Sequence, residues 1–271
     1  MRISQSIIKD MWKYKNDLLC GLVFRNKWIH GQFGKPSADM KLGIYFEYIA
    51  TGALPKGDKV PEPVFLRDGE TLSKPYQVVH EQVKVFNRLK ADFGIDIKKI
   101  GHKAKHGNIE GTTDIVASWE MVFREENLVK YGIANNPENL VIIDLKYTGL
   151  IDDRKNPLGW HTDTLKFKEG LILQPKTYIA LYYMIMGYKL PFFFWIFDNK
   201  KPGNNKIIHV EIPMSEIDEH IEWLKKAEDG IQAEIDKGLE PKPEYYRCLA
   251  CEFNEFCPHK QVLPDIINIQ I

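Results

Sequence analysis

Two apolar runs, Leu140–Ile143 opening LVIIDLK and Leu190–Phe197, LPFFFWIF, set the tightest limit on how this chain folds. Each is short, rich in β-branched or aromatic residues, and shows none of the polar alternation of a half-exposed strand. Both therefore read as buried strands. Between them, Leu173–Gly187 reads as a helix with Pro175 in its first turn. KIIHVEI, Lys206–Ile212, follows as a further strand, and Ser215 is placed to cap a long acidic helix running to about Lys237. Upstream, Ser4 to about His30 carries Ile7, Ile8, Met11, Leu18, Leu19 and Leu22 near helical spacing. LGIYFEYIAT, Leu42–Thr51, reads as a second helix that stops at Gly52. Residues 53–74 are punctuated by Pro and Gly and read as loop. Tyr76–Phe93 is amphipathic, with Val79, Val83, Phe86, Leu89 and Phe93 on one face and Gly94 as a stop. The period then changes. Ile95–His102 and Ile109–Ser118 read as a hairpin turning near Gly107, and residues 123–139 as polar and irregular. This order predicts one α/β domain over 1–271, with a helical part at 1–52, a core at 76–212, and a terminal helix and cysteine segment at 213–271.

Composition excludes several classes. A chain of 271 residues that is 44% hydrophobic and 27% charged can bury a core of ordinary size without metal. The formal net charge is zero, so attraction to a polyanion must come from a local patch. No apolar run reaches the roughly 18 residues of a membrane span. The opening MRISQSIIKDMWKYKNDLL is broken by charges and does not read as a signal peptide, so the expected location is cytoplasmic, with no membrane partner. Thiols in that compartment stay reduced, so the clustered Cys248, Cys251 and Cys257, spaced C-x2-C-x5-C, point to metal rather than to disulfides.

The candidate chemistry lies in two strands. GTTDIVAS places Asp114 early in one, and VIIDLKYTG places Asp144 in another with Lys146 two residues on. A strand repeats every two residues, so Asp144 and Lys146 share a face. Either strand alone reads as a strand-end Asp paired with a nearby Lys. Together they offer two carboxylates for a divalent cation. They also offer a lysine that can orient water and offset charge on a pentavalent phosphate, as phosphodiester hydrolysis requires.

Asp114 followed by Asp144-x-Lys146 resembles the PD-(D/E)XK nuclease superfamily, whose restriction-endonuclease-like fold is a mixed β-sheet flanked by helices. Gln174 and Tyr178 in QPKTY resemble the Q-x-x-x-Y motif of the RecB-like branch, which lies on a helix beside the active site and contacts substrate. KLGIYFEYIATG resembles that branch's first helix with its glutamate, here Glu47. The cysteine tail followed by Pro258 resembles the branch's iron–sulfur members, the AddB-type and CRISPR-adaptation exonucleases. Their fourth cysteine lies far upstream, where this chain has Cys20. The ordered set spans about residues 3–260. Many members carry a metal-binding His just before the first-helix Glu, whereas this chain has Tyr45 and Phe46.

The resemblance implies a Mg²⁺- or Mn²⁺-dependent deoxyribonuclease, expected to act as an exonuclease. Asp114, Asp144 and the carbonyl of Leu145 would hold the metal, with Glu47 as ligand or neighbour. Lys146 would serve catalysis, and Gln174 and Tyr178, with Lys176 in support, would bind substrate. It further implies a [4Fe–4S] cluster on Cys20, Cys248, Cys251 and Cys257, clamping the two ends of the chain around the core. In a chain-entropy account, a crosslink closing so long a loop is worth about 5 kcal/mol. The sequence shows no helicase P-loop, so unwinding would come from a helicase or recombination partner. Two other readings are open: a zinc-stapled nucleic-acid-binding module with an inactive nuclease fold, and an enzyme of this fold acting on RNA. The basic run Lys98–Gly107 is read equally as a solvated hairpin or as an edge touching phosphates. Phe192–Trp195 reads as core, His259 as exposed, and Glu216–Glu240 as a solvated acidic face.

Overall fold

The computed structural model describes residues 3–54, 59–131, 136–155, 159–161, 169–242, 248, 251–253 and 257–259. Its elements run β1 (Ile3–Ser4), α1 (Gln5–Lys15), α2 (Gly21–Trp28), α3 (Ala38–Thr51), α4 (Lys74–Asp92), β2 (Asp96–His106), β3 (Ile109–Ser118), α5 (Glu125–Tyr131), β4 (Leu140–Thr148), α6 (Glu169–Met186), β5 (Phe192–Asp198), β6 (Asn205–Val210) and α7 (Met214–Asp236). They pack as two compact units. One holds Met1–Gln5 and Pro36–Lys226; the other holds Ser6–Lys35 and Ala227–Ile271.

The first unit is built on a six-stranded mixed sheet in the order β1-β3-β4-β5-β6, with β2 paired to β3. β1 runs parallel to β3 and β4 parallel to β5, and the other pairs are antiparallel. The parallel β4–β5 pair requires a crossover, and α6 supplies it. Helices α3 and α4 cover one face. Phe46 stacks on Tyr147 and meets Phe197, while Phe86 meets Trp195 and Phe197 edge-on. Ile115, Ala117, Val141, Ile143 and Leu145 complete that core. On the other face, Tyr178 of α6 stacks on Phe192 and Trp160 packs on Phe194. α7 joins α6 through His220 and Thr177, whose Nε2 and Oγ1 are 3.1 Å apart. Burial, then Lys176, lowers the His220 pKa to about 4, so this joint is neutral.

The hairpin turns at Gly107 with φ 57°, and Ser37 caps α3 by accepting from the Met40 N–H at 3.2 Å. Several boundaries differ from the sequence reading. The long N-terminal helix is two helices, because Asp17 adopts φ 57° after Lys15. No Gly or Pro signals that break. α6 begins at Glu169, which puts Pro175 inside the helix rather than in its first turn, and Ser215 lies within α7 rather than capping it. Residues 120–131 hold a 3-10 turn and α5, and Phe65 pairs with Leu72 within the stretch read as loop. Among the described residues, no helix is long and apolar enough to cross a membrane.

The second unit holds together through backbone proximity. The Gly21 N–H donates to the Glu240 carbonyl at 3.2 Å, and a Cβ at Gly21 would lie 2.3 Å from that oxygen. Lys27 pairs with Glu252 at 2.6 Å, and the Gly34 N–H donates to the same carboxylate at 2.9 Å.

One buried polar side chain organises the β5–β6 end of the sheet. Gln82 of α4 is fully buried and donates through Nε2 to the carbonyls of Asp198, Lys201 and Asn204 at 2.9, 3.0 and 3.1 Å. Its Oε1 accepts from the Gly203 N–H at 3.2 Å. Removing this amide takes a donor from three carbonyls and an acceptor from the Gly203 N–H at once, so Gln82→Leu is expected to lower stability by about 1–3 kcal/mol. Urea denaturation followed by circular dichroism measures this, and a change below about 0.5 kcal/mol would contradict the role.

Candidate active site

The β3–β4 ladder pairs Ser118 with Leu140 through to Ile115 with Ile143, and stops. The next residue on each strand is an aspartate, Asp114 and Asp144. β1 resumes pairing along the same edge of β3 only at Ile109 and Glu110. Among the described residues, 111–114 therefore have no strand on that side, and the two carboxylates sit at the mouth of this gap. There the Asp114 Oδ2 accepts the Leu145 N–H at 2.7 Å, so a side chain takes over where the ladder ends.

The period-two alternation of β3 also changes at this point. Ile115 and Ala117 belong to the core with α3 and α4, whereas Gly111 and Thr113, of the same parity, meet α6. Across the hairpin, Asp114 stands opposite Gly101, which has φ 55°. A left-handed residue at that level gives the strand pair the freedom to turn over.

α6 fills the gap from its own side. Gln174 donates from Nε2 to the Asp144 Oδ1 at 2.5 Å, and one turn later the Tyr178 hydroxyl donates to the Thr112 carbonyl at 2.5 Å. The Tyr178 ring lies so close to β3 that a Cβ on Gly111 would be 2.6 Å from its Cε1. A further turn on, Tyr182 lies 3.1 Å from Thr113 Oγ1 and 2.9 Å from His102 Nδ1. Gln174 and Tyr178 are both buried, with their polar atoms turned to Asp144 and to the β3 backbone.

Electrostatically the site is short of positive charge. Asp144 is 2% exposed, and its Oδ2 pairs with the Lys146 ammonium but accepts no other hydrogen bond among the described residues. Burial, then Asp144 and then Glu47, push the Asp114 carboxyl well above the ordinary carboxylate range, and Lys146 only partly offsets them. Glu47, on α3, is raised first by burial and then by Asp144. Burial alone would lower Lys146, but Asp144, Asp114 and Glu47 outweigh it and hold the ammonium above its usual value. Lys146 is therefore a fixed cation, lying 5.8 Å from the Phe194 ring centre.

Three carboxylates against one ammonium could hold a hard divalent cation, and the Asp144 Oδ2, ion-paired but without a hydrogen bond among the described residues, fits one. Mg²⁺ or Mn²⁺ keeps several waters, so two carboxylates suffice. Among the described residues, no three His, Cys, Asp or Glu side chains already converge as a finished ligand set. Leu145 contributes its N–H to Asp114 and its side chain to the core.

All four cysteines lie in the second unit and are partly buried with free thiols. Burial raises the Cys251 thiol, and proximity to Cys20, Cys257 and Cys248 raises it further. Cys20 ends the turn before α2, where its sulfur accepts the Lys242 N–H at 3.3 Å.

This architecture has a counterpart in a crystal structure of a Eubacterium rectale protein provisionally named an exonuclease. The match has 19% identity and a TM-score of 0.59, and covers 98% of this chain and 90% of that one. The two chains share a fold. A second structure, of SSO0001, matches with 16% identity and a TM-score of 0.33 over 70% of this chain and 73% of its own. No family model matches the sequence, and no curated protein does.

The raised Asp114 has a sign that can be checked. Its folded pKa lies above its unfolded one, so its favourable contribution is complete below the ordinary value of 3.8 and is lost as pH rises through the folded value. In chelator-treated protein, Asp114→Asn should match wild type in acid and exceed it in melting temperature at neutral pH. Mn²⁺ should close that difference by stabilising wild type. Melting curves across pH test this, and a difference that does not change with pH would refute it.

Proposed function

We infer that the chain is a metal-dependent nuclease of the PD-(D/E)XK type, RecB-like, that hydrolyses DNA. One observation carries the reading: Asp114 and Asp144 stand together where the β3–β4 ladder ends, with the Lys146 ammonium paired to Asp144 and Glu47 close enough to raise Asp114 and to be raised by Asp144. The fold shared with a protein provisionally named an exonuclease supports it.

Asp114, Asp144 and the Leu145 carbonyl would hold Mg²⁺ or Mn²⁺, which would neutralise the carboxylates and polarise a phosphate oxygen. The chain's own groups then have distinct tasks. A water oxygen attacks phosphorus and the bond to the departing strand oxygen breaks. Glu47, whose carboxyl is raised, can take the water's proton. Lys146 is held protonated, so it serves as a donor to the phosphate oxygen that gains charge rather than as a base. The departing oxygen takes a proton from solvent. Gln174 fixes the Asp144 rotamer, and Tyr178 pins the unpaired stretch of β3. Their influence on substrate passes through the carboxylates they position.

Cys20, Cys248, Cys251 and Cys257 would ligate a structural [4Fe–4S] cluster. The nearness of Cys20, Cys257 and Cys248 to Cys251, which helps raise that thiol, supports this reading. Zinc is the alternative occupant that the same four sulfurs suit.

Anaerobically purified protein, assayed with Mn²⁺ or Mg²⁺ on end-labelled linear and circular DNA, tests the enzyme. Asp114→Ala and Asp144→Ala should each lose activity by about 10³-fold or more, comparable to loss of a principal electrostatic group. Lys146→Ala should lower kcat more than metal affinity. Full activity in Asp144→Ala would end the proposal. Metal analysis of the same preparation should find iron and acid-labile sulfide, and Cys20→Ser should be colourless and melt lower. Stoichiometric zinc without iron would replace the cluster, and four metal-free thiols would remove it.

A further inference from the structure

Among the described residues the hairpin strand β2 pairs only with β3, as an edge strand, and it concentrates the basic charge that the chain as a whole does not have. Lys98, Lys99, Lys103 and Lys105 are all exposed, and His102 and His106 lie among them. Among the described residues, two of the lysines have carboxylate partners: Lys98 with Asp96 at 2.5 Å and Lys103 with Glu110 at 3.0 Å. Lys99 lies 3.5 Å from the His102 Nε2, and His102 is lowered by burial and then by Lys99. The row is therefore under-neutralised.

Its position matters more than its charge. The register pairs Ile100 with Ile115 and His102 with Thr113, so Gly101 stands opposite Asp114, and Lys99 and Lys103 flank Gly101. With strands about 4.8 Å apart and about 3.3 Å of rise per residue, both lysine backbones come within roughly 8–9 Å of the Asp114 backbone. Lys105 extends the row by about 7 Å, on the scale of one or two phosphates along a DNA strand. His102 ties the row to α6 through Tyr182, one turn from Tyr178.

The geometry points to β2 as a rail for the DNA backbone along its open edge, with Lys99 reaching the backbone from one face of the strand and Lys103 and Lys105 from the other, at phosphates next to the one placed at Asp114 and Asp144. The inference rests on the nuclease reading and names how that site holds its polymer. Lysines on an edge strand also discourage strand-to-strand aggregation, but that role predicts no salt-linked DNA contact.

The test separates the two. Binding to a short duplex is measured by fluorescence anisotropy at several salt concentrations, in the Asp144→Ala background so that no cleavage intervenes. The comparison is between that protein and one also carrying Lys99→Ala, Lys103→Ala and Lys105→Ala. A control carries Lys84→Ala, Lys225→Ala and Lys237→Ala. Each lost phosphate contact lowers the slope of log affinity against log salt by about 0.9, so the rail variant should lose a slope of about 2–3 while the control keeps its own. Circular dichroism confirms folding. A triple Lys→Arg version should retain the slope, which excludes a purely structural cause. An unchanged slope in the rail variant overturns the rail, even if wild type cuts DNA. A protein that binds with the predicted slope loss but never cuts keeps the rail and loses the nuclease reading. Loss of binding to phosphatidylserine vesicles with no change on DNA would assign the row to lipid and overturn the proposal.

Discussion

Everything in the sheet unit is arranged around the cost of keeping carboxylates out of water. A strand ladder supplies N–H groups to carbonyls, and where it ends the freed groups need partners. Here the ladder ends between two aspartates, so a backbone N–H goes to Asp114, a side-chain amide goes to Asp144, and one Asp144 oxygen is left with an ammonium alone. The charge count is unbalanced by design of sequence: Asp114, Asp144 and Glu47 face one Lys146. Burial makes that imbalance strong enough to raise two of the carboxyls. Among the described residues, that negative charge is only partly offset, by Lys146.

The same constraint explains the helices. α3 brings Glu47 in on the stacking of Phe46 against Tyr147 and Phe197. α6 brings Gln174 because the β4–β5 crossover must lie against that face. The two helices approach from opposite faces of the sheet, yet both reach the site, because β3 changes the face it shows at Asp114.

Much of this could be read from the sequence. LVIIDLK and LPFFFWIF are strands because nothing but a buried strand suits them, and Asp144 and Lys146 share a side because strands repeat in twos. Asp114 stands out from its apolar strand, and Gln174 and Tyr178 stand out only through the resemblance of QPKTY to a known motif. What could not be read depends on contacts distant in sequence. Gln82 looks like any polar residue on an amphipathic helix, and only the β5–β6 turn makes it a hub. Asp17 breaks the first helix in a left-handed conformation that asparagine or glycine would have announced more clearly. The turning over of β3 is marked by Gly101, but in a lysine-rich hairpin that glycine reads as an ordinary turn residue.

Gly111 and Tyr178 carry a last consequence. Tyr178 fits against β3 because residue 111 has no side chain, and its hydroxyl then closes on the Thr112 carbonyl, while Gln174 one turn earlier holds Asp144 on the neighbouring strand. One rigid helix thus grips both strands across the stretch where they do not grip each other. The last rung of the ladder, Ile115 with Ile143, sets the two aspartates side by side, and one turn of α6 braces the strands just beyond it.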